Sequence, residues 1–583
     1  MIAFSKHRPI TTAAVGLSFA CAALAQPDRI RGPITQSGSV ALRGNVSPRA
    51  QPKNDRGPVE ASFQLRYITL VLKPAQAQRA ELDQLLEDQQ NPASPEFRKW
   101  LTPEQYADRF GASRNDIDRI STWLKAQGFT VESTARGRNW IVFSGTAGQV
   151  ETTFRTSVHR YDLDSETHFG NSNEPFIPQA LEPLAAALLG LDDFPQTSGS
   201  PRPAITLPNG QITLAPDDLE TIYDVHRLHQ AGIDGTGQKI AILGETAVDL
   251  ADIQAFRKTY GIGAATVQLV QTGTDPGVNP NVTTEASLDL EWSGAIAPNA
   301  SLIYVYSKDL QTAIFHAIDK NLAPVLSESF GICEETVPAA AAASYESEAK
   351  KANSLGITWV VATGDTGAAN CDYAGKFATQ GLAVSFPSNL PEVTAVGGTE
   401  FNEGTGANGF WSETNDADGG SAESYVSEMA WNDSIYIGYL ASGGGGVSRV
   451  FSKPSWQTGQ GVPNDHARDL PDIALAAGNG HDPYSIVVGG QLLSVGGTSA
   501  ATPVFAGMVA LLNQYLLQNG LPAGVNQSPS ASAAAASSGA GNINPSLYRL
   551  AQSAPSMFHD IVAGSNIVPC EAESPDCVNG QRI

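Results

Sequence analysis

Positive charge is scarce in this chain: 36 Lys and Arg stand against 59 Asp and Glu, a formal charge of -23 at pH 7. A surface of that sign repels phosphate backbones and anionic lipid headgroups, which argues against nucleic-acid binding driven by counterion release. Charged residues of both signs make up only 16% of the chain, too few for a disordered or coiled-coil protein. Cysteine is sparse, five residues with no C-x-x-C pair, so metal binding through thiols is not expected. Beyond the N-terminal segment no apolar run is long enough to span a bilayer.

What remains is a large globular protein. The 583 residues, 42% of them hydrophobic, are enough for two to four domains at about 150 residues each. The acidity is unevenly placed. Residues 1–210 carry 22 Lys and Arg and 21 Asp and Glu, whereas residues 211–583 carry 14 and 38, a net -24. The basic residues of the first part are expected to dock on the acidic second part at neutral pH and to let go on acidification, as carboxylates protonate.

Residues 1–25 read as a signal peptide: Lys6, His7 and Arg8, an apolar run from Ile10 to Leu24, and the small-residue site Ala23-Leu24-Ala25. Its removal takes Cys21 and leaves Cys333, Cys371, Cys570 and Cys577. An even number in an exported chain implies two disulfides, and proximity in sequence favours 333–371 and 570–577. An extracellular protein is therefore expected.

Residues 26–57, rich in Pro, Gly, Arg and Ser, have no apolar periodicity and read as an extended leader. From 58 to 193 strands and helices mix: FQLRYITLVLK alternates as a strand, AQRAELDQLLEDQQ and RNDIDRISTWLKAQG are helical, and FTVESTARGRNWIVFSG is a hairpin. AGQVETTFRT follows as a third helix and SVHRYDLDSETHFG as a second hairpin. This predicts a compact α+β domain. Residues 194–210 form a Pro/Gly/Ser linker with an expected processing site. From 211 to 583 apolar strands such as QKIAILGE, SLIYVYS, APVLSESFG and ITWVVATG alternate with helices. That pattern predicts an α/β domain with a mainly parallel sheet and function at the carboxyl ends of its strands. Residues 408–431 read as a polar surface insertion, and the Ala/Ser-rich residues 527–542 as a loop.

The sharpest local signal is GGTSAATPVFAGMVALLNQYL, residues 496–516. A glycine pair permits a tight turn that presents Ser499 at a helix N-terminus, where unpaired N–H groups can stabilise an oxyanion. Pro503 is expected in the first helical turn. The turn is similar to that of subtilisin-like enzymes, but their other elements are missing. None of the nine histidines is followed by Gly-Thr, and the first strand ends in Gly244 and Glu245 where an Asp is expected. A nucleophilic serine needs a base. Glu285 and Asp289 are four residues apart on a helix that is otherwise apolar, so they share a face, and two close carboxyls raise one pKa and can share a proton. Asp365, in the Gly-Asp-x-Gly that follows the strand ITWVVATG, is placed in the same crevice. In protonated form it would donate a hydrogen bond to an oxyanion.

With those residues in view the chain resembles the sedolisin (serine-carboxyl peptidase) family, of the kumamolisin type, with its activation prodomain. RKWLTPEQYADRFGAS, SGTAGQVETTFRTSVHRY and FIPQALEPLAAALLGL resemble the prodomain; EASLDLEWSGAIAPNA, SFPSNLPEVTAVGGT and GGTSAATPVFAGMVALLNQ resemble the peptidase. The resemblance implies a subtilisin-like fold. It also implies Ser499 as nucleophile, Glu285 as general base, Asp289 as its partner and Asp365 as the oxyanion-hole acid. The activity implied is acid-optimum endopeptidase cleavage of proteins or peptides, inhibited by the chain's own prodomain in a monomer. One Ca2+ is implied near the C-terminus, with Asp560 and the carbonyl of Ile561 as ligands; the sequence ends at Ile583, before the GYDxxTGLG-like segment that would complete the site. Phe330 stands where kumamolisin-like members often carry Trp. Two alternatives stay open: an inactive exported protein of this fold serving as a scaffold, and a neutral subtilisin-like protease.

Overall fold

The computed structural model describes residues 26–36, 38–163, 166–195, 202–203, 213–373, 375–404, 409–520, 539–579 and 582–583. The signal segment, most of the 194–210 linker and residues 527–538 of the Ala/Ser-rich stretch lie outside the described residues.

The first body is built on a four-stranded antiparallel sheet in the order Thr130–Thr134, Trp140–Thr146, Gln64–Leu72, Ala185–Leu189. Side chains alternate across it. Ile68, Leu70, Leu72, Ile141 and Phe143 pack with Ile120, Leu124, Val150 and Phe154, which lie on the Arg114–Ala126 and Ala147–Phe154 helices. Val71, Trp140, Ala187 and Leu189 face the other way and join a core with Ala313, Phe315, Tyr345 and Ala349 of the second body. The period-2 pattern thus fills the prodomain core and makes the interface.

Two features differ from the sequence reading. A helix at Pro103–Phe110, capped reciprocally by Thr102 and Gln105, was not assigned although its T-P-E-Q start carries the capping-box signature. The leader, expected as a free extended segment, is part of the domain. Ile30 and Leu42 are buried, the N–H groups of Arg29 and Ile30 donate to Asp116, and Ser39–Ala41 and Asp55–Pro58 pair as strands with Phe176–Pro178 and Val158–Leu163. These ties run through backbone groups, so no apolar periodicity announces them. Asp116→Ala is expected to expose residues 26–34 to limited proteolysis while leaving the core strands intact, because it leaves two buried N–H donors without an acceptor.

The second body holds an eight-stranded sheet. Thr266–Gln271, Ser301–Tyr306, Lys239–Gly244, Val325–Glu328, Thr358–Ala362 and Thr394–Phe401 run parallel, with Ile473–Ala476 parallel and Glu428–Ala430 antiparallel at the far edge. The Thr283–Ile296 and Thr498–Gln518 helices pack on one face, and Leu310–Lys320 and Ala339–Ser354 on the other. This is the subtilisin-like α/β fold expected. Thr498–Gln518 is the described helix long and apolar enough to cross a membrane, and it is a mostly buried core helix. Both disulfides form as paired in sequence, Cys333–Cys371 and Cys570–Cys577.

Candidate active site

Two groups of the site sit where strands of the parallel sheet end, two lie on a covering helix, and one follows an antiparallel strand. The Thr358–Ala362 strand runs out into Thr363 and Gly364 and delivers Asp365; the Val325–Glu328 strand delivers Ser329. The Gln491–Gly496 strand turns at Gly497, φ 132°, into the helix that begins Thr498-Ser499. A Cβ on Gly497 would lie 2.7 Å from Asp365 Oδ2. Gly497→Ala is therefore expected to displace Asp365 and strain the turn, reducing peptide hydrolysis at least ~100-fold with little change in Tm.

Asp365 is fixed by Thr498, whose N–H and Oγ1 donate to its Oδ1 at 2.8 and 3.0 Å. Across the turn, Ser499 is 1% exposed, and Glu285 and Asp289 have no exposed surface. Ser329 Oγ donates to Asp289 Oδ1 at 2.7 Å, and Ser499 Oγ reaches the Ser329 carbonyl at 3.4 Å. Ser329 and Thr498 are site residues that sequence reasoning missed; their positions, one past a strand end and one before Ser499, were the available signal. Pro503 lies in the second turn of the helix, not the first. Lacking an N–H, it leaves the Ser499 carbonyl without its helical donor, and Ser329 Oγ approaches that oxygen at 3.5 Å.

The acids perturb one another. Burial pushes Glu285 well above the ordinary carboxylate range, the charges of Asp289 and Asp365 add to this, and the Ser499 and Ser329 hydroxyls oppose it. Burial likewise raises Asp289, against the Ser329 hydrogen bond. Neither Glu285 oxygen, nor Asp289 Oδ2, has a well-aligned hydrogen bond from an N–H or hydroxyl donor, and the charge of Asp289 is the second-largest cause of the raised pKa of Glu285. Glu291 and Glu328 are also raised well above normal by burial. A carboxyl whose folded pKa exceeds its unfolded one stabilises the fold below the unfolded pKa, and that contribution is lost as pH rises through the folded value. Four such groups raised by even one unit amount to on the order of 5 kcal/mol. Thermal unfolding is expected to show a higher Tm at pH 4.5 than at pH 8, and Glu291→Gln with Glu328→Gln to flatten that difference.

Among the described residues, none of those lining the cleft beside Ser499 is a histidine. Glu245, which follows the first strand, faces a separate cavity shared with Asp309 and is raised to about 8 by burial and by Asp309. Asp560 is exposed, and the clusters of three acid or imidazole side chains among the described residues, Asp217/Glu220/His226 and Glu403/His481/Asp482, do not include it. A calcium ion takes six to eight oxygens, so Asp560 and the Ile561 carbonyl would hold one only together with further oxygens.

A helix-start serine, buried carboxylates and a separate α+β body in front define a serine peptidase of subtilase fold that carries its activation domain. The family profile "Pro-kumamolisin, activation domain" matches residues 53–194, and "Subtilase family" matches residues 281–540. Kumamolisin of Bacillus sp. (strain MN-32) is 30% identical over 555 residues, 90% of each chain. Sedolisin of Pseudomonas sp. (strain 101) is 28% identical over 84% of this chain and 80% of its own, and tripeptidyl-peptidase 1 of Rattus norvegicus 28% identical over 78% and 80%. The chain belongs to the sedolisin family of serine peptidases.

Proposed function

We propose that the protein is the precursor of an acid-active serine-carboxyl endopeptidase, exported through residues 1–25. One observation carries this reading: Ser499, at a helix N-terminus, is flanked by buried Glu285 and Asp289 on one side and by Asp365 on the other, with no imidazole lining the cleft among the described residues. In this reading Glu285 takes the Ser499 proton as the oxygen attacks a peptide carbonyl, and Asp289, anchored by Ser329, keeps Glu285 in place. Asp365, held by Thr498, donates to the oxyanion. Glu285 passes the Ser499 proton to the amine as the C–N bond breaks and the acyl-enzyme forms. A water then gives a proton to Glu285 as it attacks the acyl carbon, and Glu285 returns the proton to Ser499 as the new carboxylic acid leaves.

Acid pH follows from crowding. Burial and the charges of Asp289 and Asp365 raise Glu285, so the three acids resist ionising together, and acid pH favours a single negative charge among them. That charge is the base when it rests on Glu285, where two hydroxyls favour it. A second ionisation would place a carboxylate beside the oxyanion. Activity is therefore bell-shaped, lost at high pH by this second ionisation and at low pH by protonation of Glu285. A histidine, with an ordinary pKa near ~6.5, would already be protonated where this cluster works.

The closed state supports a zymogen. Ser499 is buried, and linker residues Arg202–Pro203 pair antiparallel with Gly496 and Val495 at the start of the catalytic turn. Two disulfides suit an oxidising compartment. Purified precursor held at pH 4 is expected to lose mass down to the fragment beginning near residue 200, and to cleave internally quenched peptides in mid-chain. Cleavage only at pH 8 would favour a neutral protease, release of tripeptides alone an exopeptidase, and no cleavage at any pH a scaffold.

A further inference from the structure

Far from Ser499, the catalytic body carries a charge cluster that the chemistry does not use. Asp319 ends the Leu310–Lys320 helix, and Glu348 and Lys351 lie one turn apart on Ala339–Ser354; all three are at most 1% exposed. Lys351 Nζ is 3.0 Å from Asp319 Oδ1 and 3.5 Å from Glu348 Oε2. The remaining partners come from one prodomain turn, Ala135-Arg136-Gly137-Arg138-Asn139, between the strands Thr130–Thr134 and Trp140–Thr146. The N–H groups of Arg136 and Gly137 donate to Asp319 at 2.9 and 3.1 Å. The Asn139 amide is oriented by the groups it meets: its Oδ1 accepts from Lys351 at 3.0 Å and its Nδ2 donates to Glu348. Prodomain rings complete the enclosure, Tyr106 and Trp140 standing 5.8 and 6.0 Å from Nζ. Gly137 is required by the fit, since a Cβ there would lie 2.8 Å from Lys351 Cε.

We propose that Asp319, Lys351 and Glu348 form the socket that anchors the prodomain, through its 136–139 turn, and that this anchor stays closed in acid. This rests on the peptidase reading only in calling the first body an inhibitor. The expectation that basic prodomain residues dock on acidic groups, and release as those protonate, is not how this contact is made. The cation is Lys351 of the catalytic body, and the neighbouring Lys350 also pairs outward, with prodomain Asp83 at 3.0 Å.

The groups facing the cluster decide its pH response. Asp319 is held below the ordinary carboxylate range: burial opposes this, but Lys351 and the N–H groups of Arg136 and Gly137 outweigh it. Burial, followed by the Asp319 charge, raises Glu348 against Lys351 and Asn139, so its protonated form suits the site and leaves Asp319 and Lys351 as a balanced pair. Lys320 is 3.8 Å from Asp319, and His316, lowered by burial and by Lys320, is on the same helix. On the prodomain side Arg136 is engaged by Glu104. By the sign of linkage, the Asp319 contribution is lost only as pH falls through a value under that of a free Asp, whereas the Glu348 contribution is fully present in acid. The backbone N–H groups of the turn and the Asn139 amide do not titrate in that range. Acid therefore does not eject the turn.

The test uses the full chain as its Ser499→Ala variant, which cannot cut itself, and follows amide hydrogen exchange corrected for intrinsic rate. Protection at Arg136 and Gly137 is expected to stay within about threefold between pH 7 and pH 4, and to fall at least tenfold at both pH values in Lys351→Met or Asp319→Ala. Strand Lys239–Gly244 in the same data reports whether a variant is folded; Glu348→Gln, which keeps the acceptor and the neutral state, is expected to preserve protection and serves if the others unfold. Loss of parent protection at pH 4, unchanged protection in folded Lys351→Met, or lost protection in Glu348→Gln overturns the proposal. The readout needs no catalysis, so its failure is distinct from a wild-type chain that cleaves nothing.

Discussion

Ser499→Ala abolishes turnover: the expected loss in kcat is about 10^4 to 10^6-fold, the range seen when a serine nucleophile is removed from a preorganised site. The variant is also expected to persist as full-length precursor at pH 4. The reason lies in the local geometry. Ser499 is the second residue past the Gly497 turn, after Thr498, at the N-terminal end of a helix whose unpaired N–H groups and dipole favour negative charge. Its two neighbouring hydroxyls are engaged elsewhere. Thr498 is committed to Asp365 through both its N–H and Oγ1. Ser329, though adjacent, donates to Asp289. Measured hydrolysis of a quenched peptide within tenfold of wild type in Ser499→Ala would remove the assignment of nucleophile, and with it the proposed mechanism.

The second large effect is expected for Glu285→Gln, at least ~10^3-fold in kcat with KM changed little, since a general base acts on the transition state more than on substrate binding. The amide keeps the size of the side chain but cannot take the Ser499 proton. Asp289→Asn should cost less and should move the acid limb of the pH profile to lower pH, because it removes the charge that raises Glu285. The two variants together separate base from partner. If Glu285→Gln retains the wild-type bell while Asp289→Asn abolishes activity, the roles are reversed. Neither substitution is expected to destabilise the fold at neutral pH, where each removes a buried group that resists ionisation.

Much of the architecture was legible in the sequence because it depends on periodicity. The Gln64–Leu72 strand alternates, the parallel strands are short apolar runs, and two of the helices between them, Leu250–Thr259 and Ala339–Ser354, are followed within two residues by Gly261 and Gly356. The leader was not legible. Its residues are held by Asp116, by Glu174 and by short strand pairings, contacts that leave no pattern in side-chain hydrophobicity. The site was legible in part. Glu285 and Asp289 stood out as acids on an apolar helix and Ser499 as a serine after a glycine turn, whereas Ser329 looked like any strand-end serine until the fold set it against Asp289. Similarly, the unequal charge of the two halves suggested an attraction of basic prodomain for acidic enzyme. Net charge carries no positions, and the packed interface placed Lys351 and Lys350 on the enzyme side instead.

By itself the sequence determined the chemical inventory: a serine at a helix start, two acids one turn apart, an acid after a strand, and no histidine element to serve as base. Spacing within one helix or one turn fixes such local relations, since 3.6 residues per turn and a glycine at positive φ are properties of the chain alone. The tertiary structure decided which of these groups meet. The Thr283–Ile296 helix, the turn at Gly497 and the ends of two parallel strands are brought to one crevice only because the sheet aligns its strands in the same direction and the helices cover it. Burial then decided the electrostatics, because a carboxyl has a raised pKa only once neighbours have removed its water. The same step, at the opposite face, enclosed Asp319, Lys351 and Glu348 beneath a prodomain turn, an arrangement made by residues about 180 to 210 positions apart and so invisible until both bodies are folded and docked.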